Sequence, residues 1–104
     1  MLRQFDIVEN INPRSRRDFP LLVVLQSDQV SSFTSVIAAP LAVSSERFER
    51  SRIHPAVEIE GRRYVILSER LAAVQTGTLG RVRGSAETHR YEIIAALDML
   101  FTGI

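Results

Sequence analysis

The sequence AVEIEGRRYVILS, at residues 56–68, carries the clearest fold signal in the chain. Val57 and Ile59 alternate with glutamates, which is the pattern of a half-buried β-strand. Gly61 then marks a turn, and an extended apolar run follows it up to Leu67. Two short strands joined by a glycine-containing turn predict a β-hairpin.

Three stretches upstream of this hairpin also have the character of strands. Residues 4–8 (QFDIV) alternate apolar and polar side chains, and residues 21–25 form the short apolar run that is typical of a strand buried on both faces. Residues 35–42 (SVIAAPLA) predict a third strand, in which Pro40 either ends the strand or marks a bulge. The polar residues 44–52 predict a short helix or a surface loop.

Downstream of the hairpin the pattern changes from strand to helix. A glycine-containing segment predicts one further strand, near Val74 or Val82. From Ser85 onward two apolar stripes have helical spacing: Ile93, Leu97, Leu100 and Ile104, and Ile94, Leu97 and Phe101. They predict a helix of about four to five turns, with Ser85 or Thr88 capping its start and Gly103 closing it in a left-handed conformation.

The other side of this predicted helix is small or weakly polar, and its residues are Ala95, Ala96, Met99 and Thr102. An exposed apolar strip favours a covering partner, so these residues predict the interface of a homodimer. A larger sheet that wraps the helix on both sides is the alternative. Several antiparallel strands followed by one helix indicate a small barrel-like or α+β domain.

The length and composition are those of one globular domain, which we expect to span residues 1–104. Hydrophobic residues make up 45% and charged residues 24%, which argues against long disorder. The net charge of +1 gives no general attraction to nucleic acid or membrane. The absence of cysteine excludes disulfides and thiolate metal sites and agrees with a cytoplasmic location. We expect neither a signal peptide nor a membrane span.

The residue types do not define a catalytic, metal or cofactor site. His54 and His89 lack the spacing of metal ligands, and no serine has a nucleophile-elbow context. Glu58 and Glu60 alternate on one strand, which is more typical of a solvated face than of an acid–base pair. There is no lysine, and most of the arginines stand in small groups; two groups brought together by folding would hold a nucleic-acid backbone. We therefore expect binding without catalysis.

Several segments, in this order along the chain, together resemble the CcdB family of toxins from toxin–antitoxin pairs. They are QFDIV at residues 4–8, VVLQSD at 23–28, APL at 39–41, HPAVEIE at 54–60 and the terminal helix ending in GI. The resemblance covers residues 4–104. It implies a mainly β fold, an SH3-like barrel or five-stranded antiparallel sheet with one C-terminal α-helix, assembled as a homodimer. MazF-type endoribonucleases share this fold, so the fold alone does not decide the activity.

The resemblance also implies an activity without chemistry. Toxins of this family bind the A subunit of DNA gyrase and trap the cleaved gyrase–DNA complex. A CcdA-like antitoxin neutralises them, and toxin and antitoxin together repress their operon. Operator DNA is then contacted only through the antitoxin complex, and no cofactor is involved.

The family binds gyrase with a Phe-Trp-Gly-Ile pattern at the helix end and with two apolar residues after QSD. Four residues match this pattern: Val30, Phe101, Gly103 and Ile104. Three depart from it: Gln29 in place of an apolar residue, Asp98 in place of Asn, and Thr102 in place of Trp. A tryptophan stacks on cations and buries up to about 250 Å², neither of which threonine does. Two alternatives therefore stay open, a MazF-type endoribonuclease and a degenerate member that only binds its antitoxin.

Overall fold

A computed structural model describes residues 2–30 and 34–104. The described part contains seven strands and one α-helix: β1 (Asp6–Asn10), β2 (Leu21–Val24), β3 (Ser35–Val43), β4 (Ala56–Ile59), β5 (Arg62–Ile66), β6 (Ala72–Gln75), β7 (Leu79–Ser85) and α1 (Arg90–Thr102). The mainly β class with a C-terminal helix is confirmed. The strands number seven instead of five, partly because strands form at both Val74 and Val82.

The strands form one curled antiparallel sheet, a half-barrel, in the order β4-β5-β3-β2-β1-β7. The long strand β3 divides it, because residues 35–38 pair with β6 and residues 41–43 pair with β5. On its other side β3 pairs with β2. The predicted central strand is confirmed, since all four residues of β2 are buried.

Pro40 neither ends β3 nor marks a bulge, so that expectation was wrong. Its carbonyl accepts a hydrogen bond from the Leu67 amide at 2.9 Å, and it is the cross-strand partner of Leu22 in β2. Because a strand residue directs its nitrogen and carbonyl to the same side, the proline nitrogen faces the junction between β6 and β5. A missing donor costs no ladder hydrogen bond there.

The β4–β5 hairpin is confirmed and has a two-residue turn. Glu60 has φ of 53° and Gly61 has φ of 78°. Positive φ at both central residues is the type I′ geometry, whose twist suits neighbouring strands. The preceding segment, residues 44–52, contains neither helix nor strand and forms the surface loop that was one of the two expected outcomes.

The main core lies inside the curl and is closed by α1. Phe5, Ile7, Leu41, Ile66 and Ile93 belong to one buried cluster and are all fully buried. Two smaller clusters surround Val8 and Val65. The helix therefore packs over the inner surface of the sheet, as the apolar stripe through Ile93 predicts.

The helix begins later than the expected caps Ser85 and Thr88 indicate, and its 13 residues make fewer than the four to five turns predicted. Ser85 Oγ accepts a hydrogen bond from the Glu87 amide at 3.1 Å, but the turn it supports is the 3₁₀ helix Glu87–His89. No side-chain hydrogen bond caps α1, which starts at Arg90. At the other end Gly103 has the expected left-handed conformation, with φ of 75°. No helix in the described ranges is long and apolar enough to cross a membrane.

Candidate functional site

The end of α1 projects apolar side chains into solvent. We call Phe101, Thr102, Gly103 and Ile104 the tip. Phe101 is 70% exposed and Ile104 is 85% exposed, so the apolar stripe that includes Phe101 does not pack on the sheet along its whole length. Leu100, which lies one turn before Ile104 in the predicted inner stripe, is half-buried. Exposed large apolar side chains at a helix end are a feature of binding surfaces.

Hydrogen bonds hold the tip in a defined shape. Thr102 Oγ1 donates to the Asp98 carbonyl at 2.7 Å and accepts from the Ile104 amide at 3.3 Å. The Gly103 amide donates to the Met99 carbonyl at 3.0 Å, as expected for a left-handed helix end. Arg52 Nη2 donates to the Ile104 carbonyl at 3.2 Å. The tip is therefore restrained both from its own helix and from the surface loop.

The QSD segment forms a tight turn that exposes the residues after it. Gln26 Nε2 donates to the Val30 carbonyl at 2.6 Å, and Gln26 Oε1 accepts from the Ile37 amide at 3.2 Å. Ser27 Oγ accepts from the Gln29 amide at 3.1 Å. Val30 is 61% exposed as a result of this arrangement. Asp28 accepts from the Gln4 amide at 2.8 Å, which joins the turn to the start of the chain.

The turn and the tip belong to different surface segments that rest on one core. Leu25, which precedes the turn, is in the main cluster, and Leu97 of α1 packs against that cluster. No hydrogen bond or ion pair in the described part of the chain joins Gln29 or Val30 to the tip. Asp98 is exposed on the outer side of α1.

The predicted dimer strip is only partly on the outside of the helix. Ala95 and Thr102 are exposed and Met99 is half-buried. Ala96 is fully buried in the protomer, so it is not on the outer side where it was expected. It precedes half-buried Leu97, and together they continue the inner face. The strip available to a second copy therefore consists of Ala95, Met99 and Thr102.

Members of three of the arginine groups come together in a cleft of about 740 Å³ between the β1–β2 loop and the β4–β5 hairpin. We call it the arginine cleft, and its charged lining residues are Glu9, Arg16, Arg17, Glu60, Arg62 and Arg83. Arg83 pairs with Glu60 at 2.6 Å and with Glu9 at 2.9 Å. Its hydrogen bonds hold the pKa of both carboxyls below their ordinary value, and Glu60, followed by Glu9, raises the pKa of Arg83. The cleft is thus partly neutralised.

A second cavity of about 720 Å³ lies between β4, α1 and the loop before β4. We call it the edge groove, and its lining residues are Arg50, Ser51, Arg52, Pro55, Ala56, Val57, Glu58, Arg63, His89, Glu92 and Ala95. Glu58 lines this groove, whereas Glu60 lines the arginine cleft. The two glutamates therefore do not converge on one acid–base site.

The two histidines lie in different surroundings. His54 Nε2 lies 2.9 Å from both carboxylate oxygens of Glu69. Partial burial works to raise the pKa of Glu69, but the His54 hydrogen bond and nearby charges bring it below its ordinary value. His89 precedes α1 and lines the edge groove. Across residues 2–30 and 34–104, no group of three or more acidic or histidine residues is arranged to hold a metal ion.

The half-barrel with one C-terminal helix is a small mainly β domain with an exposed, hydrogen-bonded apolar tip. The family model for CcdB protein matches residues 4–103 of the 104-residue chain, so the chain belongs to the CcdB family. Membership of this family identifies the protein as the toxin of a toxin–antitoxin pair. No curated protein matches the chain.

Arg52 is the site residue that the sequence analysis did not identify. It lies in a loop 52 positions before Ile104, the residue whose carbonyl it contacts. No local pattern connects two positions so far apart, because the contact depends on the path of the whole sheet. The meeting of Arg50, Arg52 and Arg63 in the edge groove has the same origin.

Proposed function

We propose that this toxin is a homodimer that binds the A subunit of DNA gyrase and traps the cleaved gyrase–DNA complex. The toxin carries out no chemistry in this mechanism; it stabilises one state of another enzyme. A CcdA-like antitoxin neutralises it in the cytoplasm, and the pair represses its own operon.

The observation that carries this proposal is the exposure of Phe101 and Ile104 at a tip held by defined hydrogen bonds. A pre-organised apolar tip loses little conformational freedom on binding. Val30, which matches the second family position, is also exposed. Both segments are therefore free to contact a partner without unfolding any part of the protein.

A gyrase cleavage assay with purified toxin tests the proposal. We expect inhibited supercoiling and accumulation of linear DNA. Deleting Ile104 should abolish both effects, since it removes an exposed apolar contact and the acceptor of Arg52. A truncated protein that poisons gyrase as well as the intact chain would show that the tip is assigned wrongly.

Thr102→Trp is the matched gain-of-function variant. A tryptophan supplies cation stacking and apolar area, so we expect poisoning at a lower toxin concentration, by about 2- to 30-fold. Circular dichroism of both variants should equal that of the parent, and the mass of each is measured as well, because Thr102 lies on the strip available to a second copy. If gyrase is unaffected at high excess even by Thr102→Trp, the gyrase proposal fails.

A second candidate, binding of the antitoxin alone, is favoured by one observation. The Thr102 hydroxyl makes its hydrogen bonds within the protomer, to the Asp98 carbonyl and the Ile104 amide, and offers no aromatic surface to gyrase. Expression without the antitoxin separates the candidates, because growth arrest excludes this one. RNA cleavage in metal-free buffer would instead support the endoribonuclease alternative, against which the divergence of Glu58 and Glu60 counts.

A further inference from the structure

The arginine cleft has two walls, and each wall carries arginines whose charge is unpaired. Arg16 and Arg17 belong to the β1–β2 loop, and Arg62 begins β5 on the other wall. All three are exposed. Across residues 2–30 and 34–104, none of these three guanidiniums makes an ion pair. Because a guanidinium is always charged and offers five N–H donors, the two walls together present donors to an anion.

A fourth arginine neutralises the carboxylates of the cleft. The lining contains four arginines and two glutamates, which is an excess of two positive charges, whereas the whole chain has a net charge of +1. Arg83 holds Glu60 at 2.6 Å and Glu9 at 2.9 Å. The two glutamates therefore do not compete strongly for the arginines of the walls, and the positive charge of the molecule is concentrated at this place.

The loop that carries Arg16 is ordered by its own hydrogen bonds. Asn10, which is 6% exposed, donates from Nδ2 to Ser15 Oγ at 2.9 Å and to the Phe19 carbonyl at 2.8 Å. The Arg16 amide donates to the Asn12 carbonyl at 2.9 Å. The other wall begins at the two-residue turn of the hairpin. Because both backbones are fixed in advance, a ligand has to order only the arginine side chains.

We propose that the arginine cleft binds the phosphodiester backbone of duplex DNA. Arg16 and Arg17 contact phosphates from one wall, and Arg62 contacts them from the other. Phosphate contacts carry no base information, so this binding is independent of sequence. It gives the toxin a direct contact with DNA, in addition to the operator contact that the family resemblance assigns to the antitoxin complex. It is also separate from the action of the tip on gyrase.

The cleft suits a duplex better than an acidic peptide or a single strand. Duplex DNA carries one charge per about 1.7 Å of its axis, whereas an extended peptide presents a side chain to one face only every 7 Å or so. Three unpaired guanidiniums in one cleft match the denser charge. Single strands bind largely by stacking their bases on aromatic side chains. Tyr64, the one aromatic residue of the lining, is only 8% exposed and offers no such surface.

Fluorescence anisotropy with the purified toxin and a labelled duplex of about 20 base pairs tests the proposal. We expect binding at about 50 mM salt, and equal binding of a second duplex of unrelated sequence. Raising the salt concentration to about 200 mM should lower the affinity by about 10- to 40-fold, which corresponds to two or three phosphate contacts. The assay contains neither gyrase nor antitoxin, so its outcome does not depend on the proposed function.

Two pairs of variants locate the binding. Arg62→Gln should lower the affinity about tenfold at 50 mM salt and reduce the slope of log affinity against log salt by about one. Arg63→Gln is its matched control, because it removes the same charge one residue away but lines the edge groove. Arg17→Gln should behave like Arg62→Gln. Arg14→Gln, in the same loop but outside the lining, is its control.

Urea denaturation should give all four variants the unfolding free energy of the parent, since none of these guanidiniums makes an ion pair in the part of the chain that the structure describes. Several results would overturn the proposal: no duplex binding at 50 mM salt, tighter binding of the single strand, or an equal loss in Arg62→Gln and Arg63→Gln. Displacement of the duplex by ATP or by a polyglutamate peptide at equal charge concentration would also overturn it. The cleft would then bind a small phosphate ligand or an acidic peptide instead.

Discussion

Thr102 illustrates how a single side chain shapes the candidate site. A hydroxyl near a helix end can bond to the backbone four residues earlier, and Thr102 does so with the Asp98 carbonyl. The same oxygen accepts from the Ile104 amide, which keeps the last residue beside the helix end. Arg52 adds a restraint from the neighbouring loop. Thr102, which stands in place of the family's tryptophan, thus helps to order the tip but gives it less apolar surface than a tryptophan would.

Gly103 is the second residue on which the tip geometry depends. Its φ of 75° is unfavourable for residues with a Cβ, and an added Cβ would meet no atom within 4 Å. Gly103→Ala should therefore cost only backbone strain, about 1 kcal/mol of unfolding free energy, measured by urea denaturation. Gly77→Ala is the control, because that glycine also has open space around it but no positive φ. Equal stabilities of the two variants would contradict the strain argument.

At the scale of the elements, the strands and turns whose structure depends on neighbouring residues were predicted correctly from local sequence patterns. The β4–β5 hairpin follows from alternation and from a glycine turn, and the buried strand β2 follows from its apolar run. Pro40 was misjudged because its role depends on which strands flank β3, and these come from distant parts of the chain. Ala96 was misjudged because helical spacing gives the faces of a helix but not the exact rotation of the helix on the sheet.

The tip was predicted because its residues are adjacent in sequence and match a family pattern. The exposure of Phe101 could not be derived from spacing, since the apolar stripe through Ile94 and Leu97 equally predicts packing. The edge groove was not predicted at all. It depends on α1 lying beside the free edge of β4, which only the closed fold establishes.

The rotation of α1 is testable through two neighbouring alanines. Ala96 is fully buried, whereas Ala95 is exposed. Ala96→Leu should overfill the interior and lower the unfolding free energy by about 1–3 kcal/mol. Ala95→Leu adds the same atoms on the exposed outer strip of the helix, so it should lower the unfolding free energy by less than Ala96→Leu does. Thermal and urea denaturation of both variants measure this difference, and a larger loss in Ala95→Leu would mean that the helix is rotated.

At the scale of the whole molecule, side chains bring the two ends of the sheet together. β4 and β7 are the terminal strands of the sheet order. A Cβ added to Gly84 in β7 would meet Ile59 Cδ1 of β4 at 3.1 Å, so the absence of a side chain permits the close approach. Arg83 then bridges Glu9 of β1 and Glu60 of the hairpin turn. The half-barrel is thus closed by packing and an ion-pair cluster between its terminal strands.

This closure makes stability depend on pH in a direction that the pKa shifts define. Arg83 lowers the pKa of Glu9 and Glu60 below the ordinary value of 4.5. A carboxyl with a lowered pKa in the folded state stabilises the fold fully above its unfolded pKa, and this contribution is lost as pH falls through the folded pKa. Arg83→Gln should therefore be less stable than the parent at about pH 7, and the difference should shrink in acid. Urea denaturation at several pH values measures it.

Arg62→Gln is the control for this pH dependence. Arg62 lines the same arginine cleft, but it makes no ion pair with the residues that the structure describes. The difference in unfolding free energy between Arg62→Gln and the parent should accordingly stay constant across the acid range. Added salt should reduce the effect of Arg83→Gln, since partly exposed charges are screened within about 10 Å at 0.1 M ionic strength. If Arg83→Gln lost the same stability at every pH, the contribution of Arg83 to the unfolding free energy would come from packing of its aliphatic stem. The ion pairs would then not hold the ends of the sheet together.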